Sequence, residues 1–153
     1  MSVRYGLSQL PIAYVHVRFC AHATEDVDKV MEAIDNIFPS NEIENISFDK
    51  SDVEGHYGNP IIFFEKRIKK KATINSMVKK FSTNLSVLDK EEIGRNVNRY
   101  VENGSLYIRL NKQALLQGKI KLVKSDPIHI RIRFEKSKIE DIISICKEIG
   151  MLP

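Results

Sequence analysis

Ile128-His129-Ile130-Arg131-Ile132-Arg133-Phe134 alternates without a break. Ile128, Ile130, Ile132 and Phe134 fall on one side, and His129, Arg131 and Arg133 on the other. A period of two means a strand with one face packed and one face open. Asp126-Pro127 opens the strand with a turn signal. Two further stretches repeat the pattern. In 13–22, Val15, Val17, Phe19 and Ala21 point inward, while Tyr14, His16, Arg18, Cys20 and His22 point outward. In 105–110, Leu106, Ile108 and Leu110 are inward, with Tyr107 and Arg109 outward. Three such strands predict a sheet covered by helices on one side only.

The helices that would cover it are also legible. Val27, Val30, Met31, Ile34 and Ile37 recur at helical spacing and predict a helix over 25–38, with Thr24 as its cap. Further helices are predicted over 71–85 (Ile74, Met77, Val78, Phe81), 89–102 (Ile93, Val97, Tyr100, Val101), 112–117 and 137–149 (Ile139, Ile142, Ile143, Cys146, Ile149). Gly94 weakens the second of these by about 1 kcal/mol relative to alanine, and Asn103-Gly104 reads as its stop. A strand with acids among its residues is predicted over 43–49, and a short edge strand over 119–123. In 60–68 the run Ile61-Ile62-Phe63-Phe64 reads as a strand covered on both sides. The expected fold class is α+β: a single, mostly antiparallel mixed sheet with helices packed on one face, forming one domain over 1–153. Residues 1–11 show no period and are expected to be loosely ordered.

The chain has 153 residues, a net charge of +4 and two cysteines. That length buries enough surface to fold without disulfides or metal. Cys20 and Cys146 form no CxxC pair and read as reduced thiols. A run of about 18 apolar residues is absent, so no membrane partner is expected, and Met1–Gln9 does not read as a signal peptide. Charge is unevenly spread. Residues 1–54 hold four Lys/Arg against ten Asp/Glu, and residues 55–153 hold twenty against ten. A polyanion would approach the second part.

The candidate site follows from the outward residues. Tyr14, His16, Arg18, His22, Tyr107, Arg109, His129, Arg131 and Arg133 include no acid. Arginine forks match phosphate, and tyrosine and histidine rings give unstacked bases a platform. An ordinary solvated face of strand formers is the plainer account of the same residues. Two extensions suggest themselves. The run Lys66-Arg67 and Lys69-Lys70-Lys71 would widen the positive field. The turn-rich loop Glu54-Gly55-His56-Tyr57-Gly58-Asn59-Pro60 would add His56 at one end of the sheet. Asn111-Lys112-Gln113 at a helix start would offer Lys112 and free N–H groups to phosphate, or else a simple cap. No nucleophile motif, phosphate-cradling glycine loop or metal-ligand spacing occurs, so neither a cofactor nor catalytic residues are expected. RNA is therefore the first partner to consider. A protein partner or a second copy of the chain on the same face comes next. An enzyme with Glu54 and His56 as acid and base comes last.

Three segments together resemble a known family. They are His22-Ala23-Thr24-Glu25-Asp26 with Lys29-Val30; Glu54-Gly55-His56-Tyr57-Gly58-Asn59-Pro60-Ile61; and Leu106-Tyr107-Ile108-Arg109-Leu110-Asn111-Lys112-Gln113-Ala114 with Gly118 and Asp126-Pro127-Ile128. Their order and spacing resemble the archaeal small RNA-binding proteins described as predicted exosome subunits, over roughly residues 13–134. Asn111 stands where that family commonly has an aspartate, which touches only the helix cap. The resemblance implies a fold similar to ribosomal protein L-five, the carrier of the 5S RNA. It also implies RNA binding without catalysis, attachment to an RNA-degrading complex, and an archaeal, cytoplasmic setting.

Overall fold

A computed structural model describes residues 10–54 and 58–153. The elements run β1 (Ile12–His22), α1 (Val27–Asp35), β2 (Asp49–Glu54), β3 (Pro60–Ile68), α2 (Lys71–Asn84), α3 (Val87–Arg95), α4 (Val97–Tyr100), β4 (Val101–Glu102), β5 (Ser105–Leu110), α5 (Lys112–Leu116), β6 (Ile128–Phe134) and α6 (Ile139–Glu148). The strands form one six-stranded sheet in the order β2-β3-β1-β6-β5-β4. Every pairing of these strands is antiparallel. The fold is α+β, with β1 and β6 at its centre.

The inward residues of β1, β5 and β6 are all buried, and one core cluster joins them to the helices. Val30, Ala33 and Ile34 come from α1; Ile74, Met77, Val78 and Phe81 from α2; Ile93 from α3; Leu115 from α5; Ile142, Ile145 and Cys146 from α6. Phe19 anchors it, stacked on Phe64 at 4.9 Å between centroids and edge-on to Phe48 at 5.3 Å. The β1–β6 register shifts between Ile12 and Tyr14. Ala13 is the extra, exposed residue, so Ile12 and Val15 both reach the core although three apart. None of the described helices is long and apolar enough to cross a membrane.

The structure departs from the sequence expectations in several places. The strand expected over 43–49 is a 3₁₀ turn at Ile43–Asn45, and the edge strand follows at Asp49–Glu54. That strand is exposed throughout. It is held by backbone pairing to β3 and carries no apolar alternation that could reveal it. Strand β3 is not covered on both sides: Phe64 and Ile68 are buried, while Ile61, Ile62 and Phe63 are half-buried. The helix expected over 89–102 breaks at Asn96, whose amide bonds the Glu92 carbonyl and carboxylate. The chain then enters β4, because Asn103 and Gly104 have φ of 50° and 82° and form a two-residue hairpin turn. Only glycine suits the second turn position. A Cβ there would also displace the Arg133 guanidinium that lies over the turn. Helix α1 starts at Val27 with Asp26 as its cap, two residues later than expected, because the Asp26 carboxylate takes the Asp28 N–H. In 119–123 only Leu122 pairs, through a single bridge to Leu110.

Candidate nucleic-acid interface

Cross-strand register decides which outward side chains meet. His16 lies opposite Arg67 on β3 and Arg131 on β6, and Arg131 lies opposite Tyr107 on β5. One step along, Arg18 lies opposite Glu65 and His129, and His129 opposite Arg109. At the other side of the first set, Tyr14 faces Arg133, and Arg133 faces Ser105. Directly opposed residues share a face, so all of these project from the side away from the core.

The aromatic and guanidinium groups interleave. The Arg67 guanidinium sits 4.1 Å from the Tyr14 ring centroid. Arg131 lies 5.6 Å from Tyr14 and 5.5 Å from Tyr107, between the two rings. Its Nε donates to Ser105 Oγ at 2.9 Å, which fixes the plane of the guanidinium. Arg133 donates to the Asn103 carbonyl and is folded over the hairpin turn. Arg18 and Arg109 are exposed. A groove of about 390 Å³ runs between them, lined also by His16, Tyr107, His129 and Arg131, with Arg99 and Glu102 at its rim.

The remaining sequence candidates are placed elsewhere. Lys112 is 10% exposed at its side chain, and its ammonium donates to the Cys20 carbonyl at 2.6 Å, Glu25 at 3.1 Å and Asp126 at 3.0 Å. Asp126 also accepts from His22 at 2.9 Å. These contacts clasp the helix start at α5 to the end of β1 and the approach to β6. The Lys112 charge is thus spent internally instead of being offered to an external phosphate. Burial by itself would raise the Asp126 carboxyl, but the hydrogen bonds from His22 and Lys112 outweigh it and hold it below its ordinary range. His22, Glu25 and Asp126 each bring a ligand atom within 4.8 Å of the others. The Lys112 ammonium bonds both carboxylates of that cluster. His56 lies outside the described residues, and with it the centre of the 54–60 loop. Of the lysine run, Lys70 pairs with Glu42 at 2.7 Å, Lys71 bonds the Ile12 carbonyl and Glu135, and Lys66, opposite Val17, faces the helix side. Arg67 is the member that joins the open face.

Residues 14–134 match the model of a family described as RNA binding. The chain belongs to this RNA-binding family. RNA-binding protein PAB1135 of Pyrococcus abyssi is 32% identical over 140 residues, which cover 88% of this chain and 90% of that protein. Uncharacterized protein MJ0213 of Methanocaldococcus jannaschii is 31% identical over 142 residues, covering 84% and 92%. Among solved structures, Mth689, a DUF54 protein from Methanothermobacter thermautotrophicus, matches with a TM-score of 0.74 at 26% identity, over 93% of this chain and 98% of that one. In this chain the match to the RNA-binding family begins on Tyr14 and ends on Phe134. It therefore spans the three strands that carry the open face and stops before α6.

Some residues of the face escaped the sequence reading. Arg99, which lines the groove, was hidden because it lies in no alternating stretch, whereas Arg67 reads only as part of a lysine-rich run. The face also has acids that the three strands do not reveal. Glu65 opposes Arg18 and lies 3.7 Å from His16 across the strands, and Asp49 opposes Glu65 from β2. The positive part is therefore centred on β1, β6 and β5, with an acidic margin toward β2.

This setting shifts both histidines of the groove. Burial lowers the His16 imidazole most. Glu65 pulls the other way, and Arg67, Arg18 and Arg131 add to the lowering. Burial also lowers His129, helped by Arg18 and Arg109. Both rings are neutral at pH 7. Below the ordinary value of 6.5 the unfolded chain takes up protons that the folded chain resists. Stability should thus fall as pH drops from 6.5 through the two lowered values. Urea melts across that window check this. The His16→Gln, His129→Gln variant should show a flatter dependence there, and an unchanged dependence would remove these two rings as its source.

Proposed function

We propose that the chain binds single-stranded RNA on the open face of its sheet, as a binding protein and not as an enzyme. The observation that carries this reading is the interleaved set Arg67–Tyr14–Arg131–Tyr107 across four neighbouring strands. Rings and guanidinium planes stack on unpaired bases, and guanidinium forks hold phosphate. A duplex hides its base faces and would leave these rings unused. Tyr14, His16, Arg18, Arg67, Tyr107, Arg109, His129 and Arg131 form the contact set, with Arg133 and Arg99 at its rim. His22 and Lys112 serve as the clasp described above, and His56 would join from the loop end. Membership in the RNA-binding family supports the polymer class. The finer expectations belong to the same reading and rest on the family resemblance. They are attachment to an RNA-degrading complex, a likeness to ribosomal protein L-five, and action in the cytoplasm.

The test is a binding titration against salt with a single-stranded RNA and a duplex of equal length. Contacts to Z phosphates give a log–log slope of about −0.7Z on the single strand. Tighter binding of the single strand with a negative slope is expected. Absence of binding to any RNA at low salt sinks the reading, and preference for the duplex removes its single-stranded part.

A further inference from the structure

Phe63 is the aromatic side chain that the sequence places in a covered strand and the structure places on the open face. It lies opposite Cys20, half-buried, whereas its neighbour Phe64 is stacked in the core on Phe19. The Arg18 guanidinium stands 5.9 Å from the Phe63 ring centroid. Ile61 and Val53 flank the ring on the same face, and Val53 is 48% exposed. Phe63 thus belongs to an apolar end of the face, beyond the set Glu65–Arg18–His129–Arg109.

We infer that Phe63 is a further base-stacking position, which takes one nucleobase of the same RNA strand beside Arg18. This rests on the RNA reading above and extends it to a residue outside the basic groove. Charge decides what can reach the ring. Glu65 lies one pleat along β3 from Phe63, opposite Asp49, and the two carboxylates repel phosphate. The phosphates therefore stay over Arg18, His129 and Arg109, and an uncharged base swings across the acidic margin onto the ring. Arg18 holds the phosphate on one side and borders the base on the other. Phe63 and Tyr107 are separated by three inter-strand spacings and two pleats, about 20 Å at ordinary sheet spacings. A strand of a few nucleotides spans that distance, at the low end of the roughly 4–16 nucleotides that single-strand-binding folds cover.

The experiment titrates the full chain and its Phe63→Leu variant with oligo-A and with an oligomer of the same length that lacks its bases. Loss of one stacked base should weaken oligo-A binding by about tenfold. The salt slope should stay the same, because no phosphate contact is removed. Affinity for the baseless oligomer should be equal for both proteins. Phe63→Tyr, which keeps the ring, should bind oligo-A like the parent. Photocrosslinking of the unaltered chain to 4-thiouridine RNA should give a crosslinked peptide containing Phe63, and this readout does not depend on a variant folding. Equal oligo-A affinity of the Leu variant and the parent overturns the inference and leaves the RNA reading standing. So does an equal loss on both oligomers, or a crosslink map confined to β5 and β6. Failure of the unaltered chain to bind any oligomer overturns the RNA reading itself.

Discussion

Replacing Arg18 and Arg109 together by alanine is expected to weaken single-stranded RNA binding by about a hundredfold. Both side chains are exposed, and neither is in an ion pair among the described residues. Their removal therefore costs the fold little. A charge-assisted hydrogen bond is worth about 1.5–3 kcal/mol. Solvent screening at an open face argues for the lower end, so about a tenfold loss per arginine is reasonable. The log–log salt slope should become shallower by about 1.4, which is two phosphates at 0.7 each. Salt-dependent titrations of parent and variant, with matched melting temperatures, check both numbers. An unchanged affinity and slope would move the binding site off this face. Arg131 is a poorer probe, because its Nε also ties β6 to Ser105, which is fully buried. Its loss would mix folding with binding.

The largest effect on stability is expected at Phe19. Its side chain is 1% exposed and touches aromatic rings on both β3 and the segment before β2. Phe19→Ala leaves a cavity at the sheet–helix junction, which costs about 3–5 kcal/mol. For a chain of this length that corresponds to a fall of about 10 °C in melting temperature. Thermal unfolding followed by circular dichroism measures it. A fall of less than about 3 °C would mean that the ring does not anchor the core as described. Phe63, on the same sheet but on the other face, should tolerate truncation to leucine with a far smaller shift. The pair separates the two roles that neighbouring phenylalanines play in β1–β3 packing.

The inward and outward sets of β1, β5 and β6 were legible because side-chain direction in a strand is a local property. Each residue's side follows from its position relative to its neighbours, and the apolar set was unmixed. The same argument found α1, α2, α5 and α6. It failed where tertiary pairing overrides local pattern. Strand β2 has no apolar face, so only its hydrogen bonds to β3 define it. The helix expected over 89–102 had enough apolar spacing to continue. The Asn103-Gly104 turn nevertheless needs Val101–Glu102 extended to pair with β5. In β3 the apolar run hid the fact that Phe63 and Phe64 point to opposite sides.

The site shows the same division. The sequence by itself determined that Tyr14, His16, Arg18, Tyr107, Arg109, His129, Arg131 and Arg133 project away from the core, since alternation alone settles that. Only the tertiary structure decided which of them are neighbours. Strand order and register rest on hydrogen bonds between segments far apart in the chain, and no local period encodes them. Register set Arg131 between Tyr14 and Tyr107, brought Arg67 and Phe63 onto the face, and laid Glu65 and Asp49 along its margin. Long-range pairing also turned Lys112 inward onto Glu25 and Asp126, because a lysine at a helix start goes to whatever carboxylates the fold delivers within reach.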